Sequence, residues 1–216
     1  MKFWKLHGIG NDFVAIDGRY DNIDNNDYGE YAKRACHRKF SVGADGLLVV
    51  KNSDVADVEM VDYNSDGSRA AMCGNGLRCF VKFVYDNNIV EKDEFNVYTL
   101  DGIKKVKINW KDGKIESIKV NRGKGSFLAK DVPVSAQIEK FVEQKITVLD
   151  REYTVTSILM GVPHTVIFVD ELSMEEVCKY GAAIEKHYIF PKKTNVNFVK
   201  IIDDKNILVG CNLVPG

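Results

Sequence analysis

The stretch NSDGSRAAMCGNGLRCFVKFV, Asn64 to Val84, decides how the chain is read. It opens on Asn-Ser-Asp-Gly-Ser, a strong turn signal. Beyond Gly76, the apolar residues Leu77, Phe80, Val81 and Val84 recur at three- and four-residue steps. That spacing predicts a helix with a broad apolar stripe, hence a central, buried helix. Cys73-Gly74-Asn75-Gly76 sits at its mouth. Two glycines there cost helix stability, so their presence asks for a reason.

Working outward, short strands flank this helix on both sides. Phe3, Trp4 and Leu6 precede a turn at Gly8–Asp12, and Phe13–Ile16 resumes as a second strand. Tyr28, Tyr31, Ala32 and Ala35 lie near helical spacing. Leu47–Val50 reads as a buried strand, and Val58, Met60 and Val61 supply the inward side of an alternating one. After the helix, Asp101-Gly102 and Asp112-Gly113 mark a meander of hairpins. A composition break over 121–136 places a domain boundary, giving domains 1–122 and 123–216. The second domain restarts with β-branched strands over 145–168 and an amphipathic helix with Ser173 as its N-cap. It continues with a hairpin around Asp203–Asn206.

The composition excludes several classes. Apolar residues make up 45% of the 216 residues and charged residues 28%, a globular balance. The net charge of −1 leaves no electrostatic footprint for nucleic acid or an anionic membrane surface. No apolar run reaches the about 18–20 residues that cross a bilayer, and the N-terminus lacks a signal-peptide core, so a cytoplasmic protein is expected. The five cysteines, Cys36, Cys73, Cys79, Cys178 and Cys211, are odd in number and contain no CxxC pair. Neither a disulfide framework nor a metal site follows. Apart from Cys73, most are expected to be buried small hydrophobes.

At a helix mouth, the first-turn amides have no intrahelical partner and the dipole favours negative charge. A cysteine placed there is biased toward the thiolate, its reactive form. The flanking glycines let a ligand approach the backbone, and a carboxylate can rest on the exposed amides. Asn64 and Asn75 add neutral donors and acceptors. The same residue types also fit a packed cysteine and turn asparagines that bond their own backbone.

The motifs LHGIGNDF, NSDGS, MCGNGLRC, MGVPHTVIF and FPKKTNVNFV follow one another in order through nearly the whole chain. Together they resemble the diaminopimelate epimerase family. The resemblance implies an α+β fold of two pseudo-symmetric domains, each a central helix wrapped by mostly antiparallel strands, with substrate in the cleft between them. It implies a cofactor-independent, metal-free isomerase that interconverts LL- and meso-diaminopimelate for lysine and peptidoglycan synthesis. One thiolate removes the α-proton and a second thiol delivers a proton from the opposite face. Residue by residue, Cys73 matches the first catalytic cysteine and His164 the histidine that tunes its protonation. Asn11, Asn64, Gly74, Asn75 and Asn195 match substrate-binding positions. The partners implied are a small amino acid substrate and a second copy in a homodimer.

Three departures from the family stand out. Val162 stands where members often carry asparagine, and Gly46 where some carry glutamine. After the hairpin the family proceeds to a Glu-Arg-Gly segment and a second glycine-flanked cysteine, whereas this chain reads LVGCNLVPG. Cys211 lacks the glycines that follow Cys73 and lacks a following helix, so it is not expected to replace that cysteine. The chain is therefore expected to be a C-terminally shortened relative whose second domain is incomplete. Its expected epimerase activity is little or none, the alternative being a catalytically impaired remnant or binding protein of the same fold.

Overall fold

The computed structural model describes residues 2–20 and 27–212; the tail Leu213–Gly216 lies outside them. Contacts divide the chain into two compact units, the first ending at Arg122 and the second beginning at Gly123.

In the first unit, β1 (Phe3–Gly8) and β2 (Asn11–Asp17) pair as an antiparallel hairpin. Helix α1 (Asp27–Ala35) carries the chain to β3 (Gly46–Lys51), which runs parallel to β2. β4 (Val58–Asn64) returns antiparallel to β3, and the short β5 (Arg69–Ala70) pairs with β4. Helix α2 (Gly74–Asp86) follows. β6 (Glu94–Thr99), β7 (Gly102–Lys111) and β8 (Lys114–Val120) form the meander. β6 closes the eight-stranded sheet by pairing parallel with β4.

Helix α2 packs against β1 and β2 near one end of the strand order and against β8 at the other. The sheet therefore curls around the helix. Leu77, Phe80, Val81 and Val84 of the apolar stripe are completely buried among Phe13, Ala15, Leu48, Val58, Met60 and Val97. The opposite face of β2, β3 and β4 is covered by α1, with Tyr28 and Ala32 against Ile16, Val49 and Val61. This double cover corrects the reading of Val61 as sharing one inward side with Val58 and Met60. Val58 and Met60 face α2, Val61 and Tyr63 face α1, and all four are buried.

The second unit contains β9 (Gln144–Val148), β10 (Arg151–Met160), β11 (Val162–Phe168), α3 (Met174–Glu185), β12 (Asn195–Ile201) and β13 (Ile207–Asn212). Its five strands lie in the order β13-β12-β11-β10-β9. Ser173 caps α3, its hydroxyl accepting from the Glu176 amide. The run β10-β11-α3-β12-β13 repeats β1-β2-α1-β3-β4: hairpin, helix, parallel return strand, antiparallel strand. This internal repeat is the pseudo-symmetry of an α+β fold.

One face of the second sheet packs on α3 through Val155, Ile167, Val196 and Phe198. Strand alternation turns Met160, Val162, Phe168, Ile201, Ile207 and Val209 to the other face, where they are exposed. Among the described residues of this unit, no helix like α2 follows the strand pair β12–β13.

Candidate active site

The site is built on the N-terminus of α2. Cys73 is its N-cap, with extended backbone (φ −114°, ψ 124°) and a side chain that accepts from the Gly76 amide at 3.5 Å. The sulfur takes the place usually filled by a serine or aspartate oxygen. On its other side, the thiol donates to Asn11 Oδ1 at 3.5 Å. Asn11 is the first residue of β2, directly after the turn at Ile9-Gly10.

The orientation of Asn11 is imposed from behind. Its Nδ2 donates to Asp45 at 2.8 Å, which turns the amide oxygen toward the sulfur. Asp45 also accepts from Arg38 at 2.7 Å and from the Asp12 amide at 3.1 Å. Asp12 in turn is paired with Arg38 at 2.7 Å and Lys5 at 2.8 Å. The Arg38 guanidinium, with help from Lys5, holds the Asp12 carboxyl well below the usual carboxylate range. A chain of charges thus fixes the asparagine that touches the thiol.

The glycines have steric reasons. A Cβ on Gly76 would stand 3.3 Å from both Leu48 Cδ2 and Phe13 Cζ, so a larger residue there would crowd the side chains on which α2 packs against β2 and β3. Asn75 follows Gly74 and accepts from Arg78 through Oδ1. Arg122 reaches the same helix start, its Nη1 3.3 Å from where a Gly74 side chain would begin. At Gly46, where glutamine was a possible family residue, a Cβ would stand 2.7 Å from the Tyr63 carbonyl oxygen. The backbone approach in this chain accounts for glycine.

Asn64 ends β4, and its Nδ2 donates to Ser68 Oγ at 2.9 Å, closing its own Asn-Ser-Asp-Gly-Ser turn. The structure thus brings Asn11, Cys73, Gly74 and Asn75 together in the first unit. In the second unit, His164 and Asn195 are register partners across parallel β11 and β12. His164 Nδ1 also lies 3.4 Å from Asn197 Nδ2.

Sequence reasoning passed over Asn197, which also accepts from the Cys211 thiol at 3.2 Å. The Asn-Val-Asn alternation of Asn195 and Asn197 was the available signal. It passed over Asp62 as well, whose inward parity with Val58 and Met60 was legible.

The other cysteines differ from Cys73, which is half-buried. Burial pushes the Cys36 and Cys79 thiols up to about 11, so they are inert core groups. Cys178 and Cys211 are exposed, which corrects the expectation that most of the rest are buried. Cys178 lies on α3, and Cys211 lies on the outward face of β13. By register, Cys211 opposite Asn197 corresponds to Asp62 opposite Leu48 in the internal repeat, not to Cys73.

Among the described residues, no group of three or more His, Cys, Asp or Glu could hold a metal ion. No described helix is long and apolar enough to cross a membrane.

Solved structures share the fold at low identity. A hydroxyproline epimerase from Agrobacterium vitis aligns with TM-score 0.65 at 13% identity, over 99% of this chain and 70% of that one. A phenazine biosynthesis protein of the PhzF family from Bacillus anthracis aligns with TM-score 0.61 at 15% identity, over 97% and 71%. Sequence relatives are much nearer. A diaminopimelate epimerase of Alkaliphilus metalliredigens is 45% identical over 97% of this chain and 74% of its own length. One of Clostridium perfringens is 47% identical over 94% and 73%. The diaminopimelate epimerase family model matches residues 3–128 and 156–210, which include Cys73 and its glycines, the Asn11 turn, and the strands of His164 and Asn195. By that match and those identities, this chain belongs to the diaminopimelate epimerase family, whose members are isomerases.

Proposed function

We propose that the chain acts on diaminopimelate as a cofactor-independent epimerase, with Cys73 as one member of the thiol acid–base pair, in lysine and peptidoglycan precursor synthesis. One observation carries this reading: a half-buried thiol caps the central helix, accepts from Gly76 and donates to Asn11. Its role is to take the α-proton. The α2 amides and the Asn75 side chain are fixed donors that meet the charge developing on the substrate carboxylate without reorganising, and Asn11 orients the thiol and lines the substrate site. Gly74 lets the substrate approach the backbone, and Asn64 binds substrate at the end of β4. In the second unit, His164 and Asn195 are proposed in their family roles, as thiol-tuning and substrate-binding groups. The protein is proposed to work in the cytoplasm as a homodimer, which sedimentation velocity would test.

Inversion needs an acid opposite the base, because a lone base tends to return its proton to the face it left. A second reading is that the chain binds diaminopimelate and exchanges its α-proton without inverting it. Cys211 stands on β13 rather than at a helix start, so it is not proposed as that opposing acid.

One experiment separates the two. The chain is incubated with LL-diaminopimelate in deuterated water, with α-proton loss followed by NMR and stereochemistry by chiral chromatography. Exchange with meso product supports epimerisation; exchange with retained LL substrate supports the second reading. Exchange that survives Cys73→Ala, or no exchange at all, overturns the role given to Cys73.

A further inference from the structure

Asp62 lies in β4 on the face that meets α2, opposite Leu48 of β3 and Ala70 of β5. Its neighbours on that face of β4 are Met60, which belongs to the α2 core, and Asn64. Only 4% of the residue is exposed. Its carboxyl faces the backbone amide of Cys73. Its Oδ2 has no partner, and it is the one buried side-chain oxygen or nitrogen among the described residues so left. A core acid with half its carboxyl unsatisfied is costly and calls for an explanation.

We propose that Asp62 is a positioning residue of the Cys73 site: its buried carboxyl holds the Cys73 amide, and the gain or loss of its proton sets how readily the Cys73 thiol reacts. The inference rests on Cys73 being the reactive thiol. Position supplies the link, since the residue that caps α2 through its sulfur also presents its backbone amide to the buried Asp62 carboxyl.

The electrostatic surroundings are sparse. Burial pushes Asp62 up to about 7, against the opposing pull of the Cys73 amide, and no charged side chain adds to either. Two cations stand at the start of α2, Arg78, bonded to Asn75, and Arg122, beside Gly74. Glu59 and Arg69 face each other at 3.8 Å on the opposite side of β4. Cys79, on α2, stays protonated at neutral pH.

The acid therefore changes charge in the neutral range, exchanging its proton with bulk water. Below that range a neutral carboxyl leaves the thiol unopposed. Above it, a carboxylate in a poorly screened interior opposes formation of a second anion beside it.

The test is the rate of Cys73 alkylation by iodoacetamide, read by mass spectrometry on the tryptic peptide 70–78, between about pH 5 and pH 9. The native protein is expected to show an inflection near neutrality beneath the thiol's own rise. Asp62→Asn, nearly the same shape but without charge, is expected to lose that inflection. Above neutrality it should react about three- to tenfold faster. Profiles that superimpose overturn the proposal.

A second measurement needs no variant. In native protein with carbon-13 aspartate, the Asp62 carboxyl carbon is expected to titrate near neutrality, and titration in the ordinary range near about 4 overturns the proposal. Neither measurement uses turnover. The parent reading fails separately, if α-proton exchange survives Cys73→Ala.

Discussion

The buried acid makes a thermodynamic prediction that needs no substrate. An aspartate has an ordinary value of 3.8, and Asp62 in the native protein is raised to about 7 by burial. The native state therefore holds a proton that the unfolded chain releases between those limits. Stability from this group is fully present below the unfolded value and is lost as the pH rises through the native one. At about 1.4 kcal/mol per tenfold change, roughly three decades correspond to about 4 kcal/mol. That is a large share of the 5–15 kcal/mol typical of a whole domain. The site is 4% exposed, so solvent screening does not dilute the effect.

The assay is urea unfolding of native protein and Asp62→Asn at constant ionic strength, from about pH 4 to about pH 8. Native stability should fall across that range relative to the variant, and the gap should stop widening above about pH 7. The difference between the two proteins cancels the remaining carboxylates. Parallel curves would refute the reasoning, because Asp62 would then be ionised in both states throughout.

Further outcomes follow from the packing. Phe80 is completely buried at the centre of α2, and Phe80→Ala should cost about 3–5 kcal/mol in the same unfolding assay. Gly76→Ala sets about 1 kcal/mol of gained helix propensity against about 2 kcal/mol of crowding on Leu48 and Phe13, so a net loss of about 1 kcal/mol is expected in the urea midpoint. Asp12→Asn removes the partner of Arg38 and Lys5. Because Asp12 is held below the usual range, its contribution is present above the ordinary carboxylate value and lost as pH falls, so the variant should show a flatter acid limb in thermal melts. Ser173→Ala deletes the cap of α3 and should lower stability by about 1 kcal/mol.

Much of the fold was legible because it depends on near neighbours in the chain. The Leu77–Val84 spacing marks α2, the Asp112-Gly113 dipeptide marks the β7–β8 turn, and Ser173 marks the start of α3. Cys73 was legible as a helix-mouth thiol for the same reason: its nearest partner, the Gly76 amide, is three residues away. The closeness of Asn11 is different. It comes from a sheet that curls around α2 and brings residues 62 apart to 3.5 Å. No local pattern encodes that distance.

Asp62 shows the division most clearly. Period-two alternation from Val58 and Met60 points it inward. Whether inward means a wet cleft or a dry core depends on what covers the strand, and α1 and α2 cover β4 on both faces. The residues alone determined which segments become helix and strand, where they turn, and that a thiol would stand at the start of a helix, since backbone preference and side-chain period act over a few residues. Tertiary structure alone decided which groups lose water together and which charges face one another. Desolvation and electrostatics depend on distance in space, and strand register and helix docking set that distance.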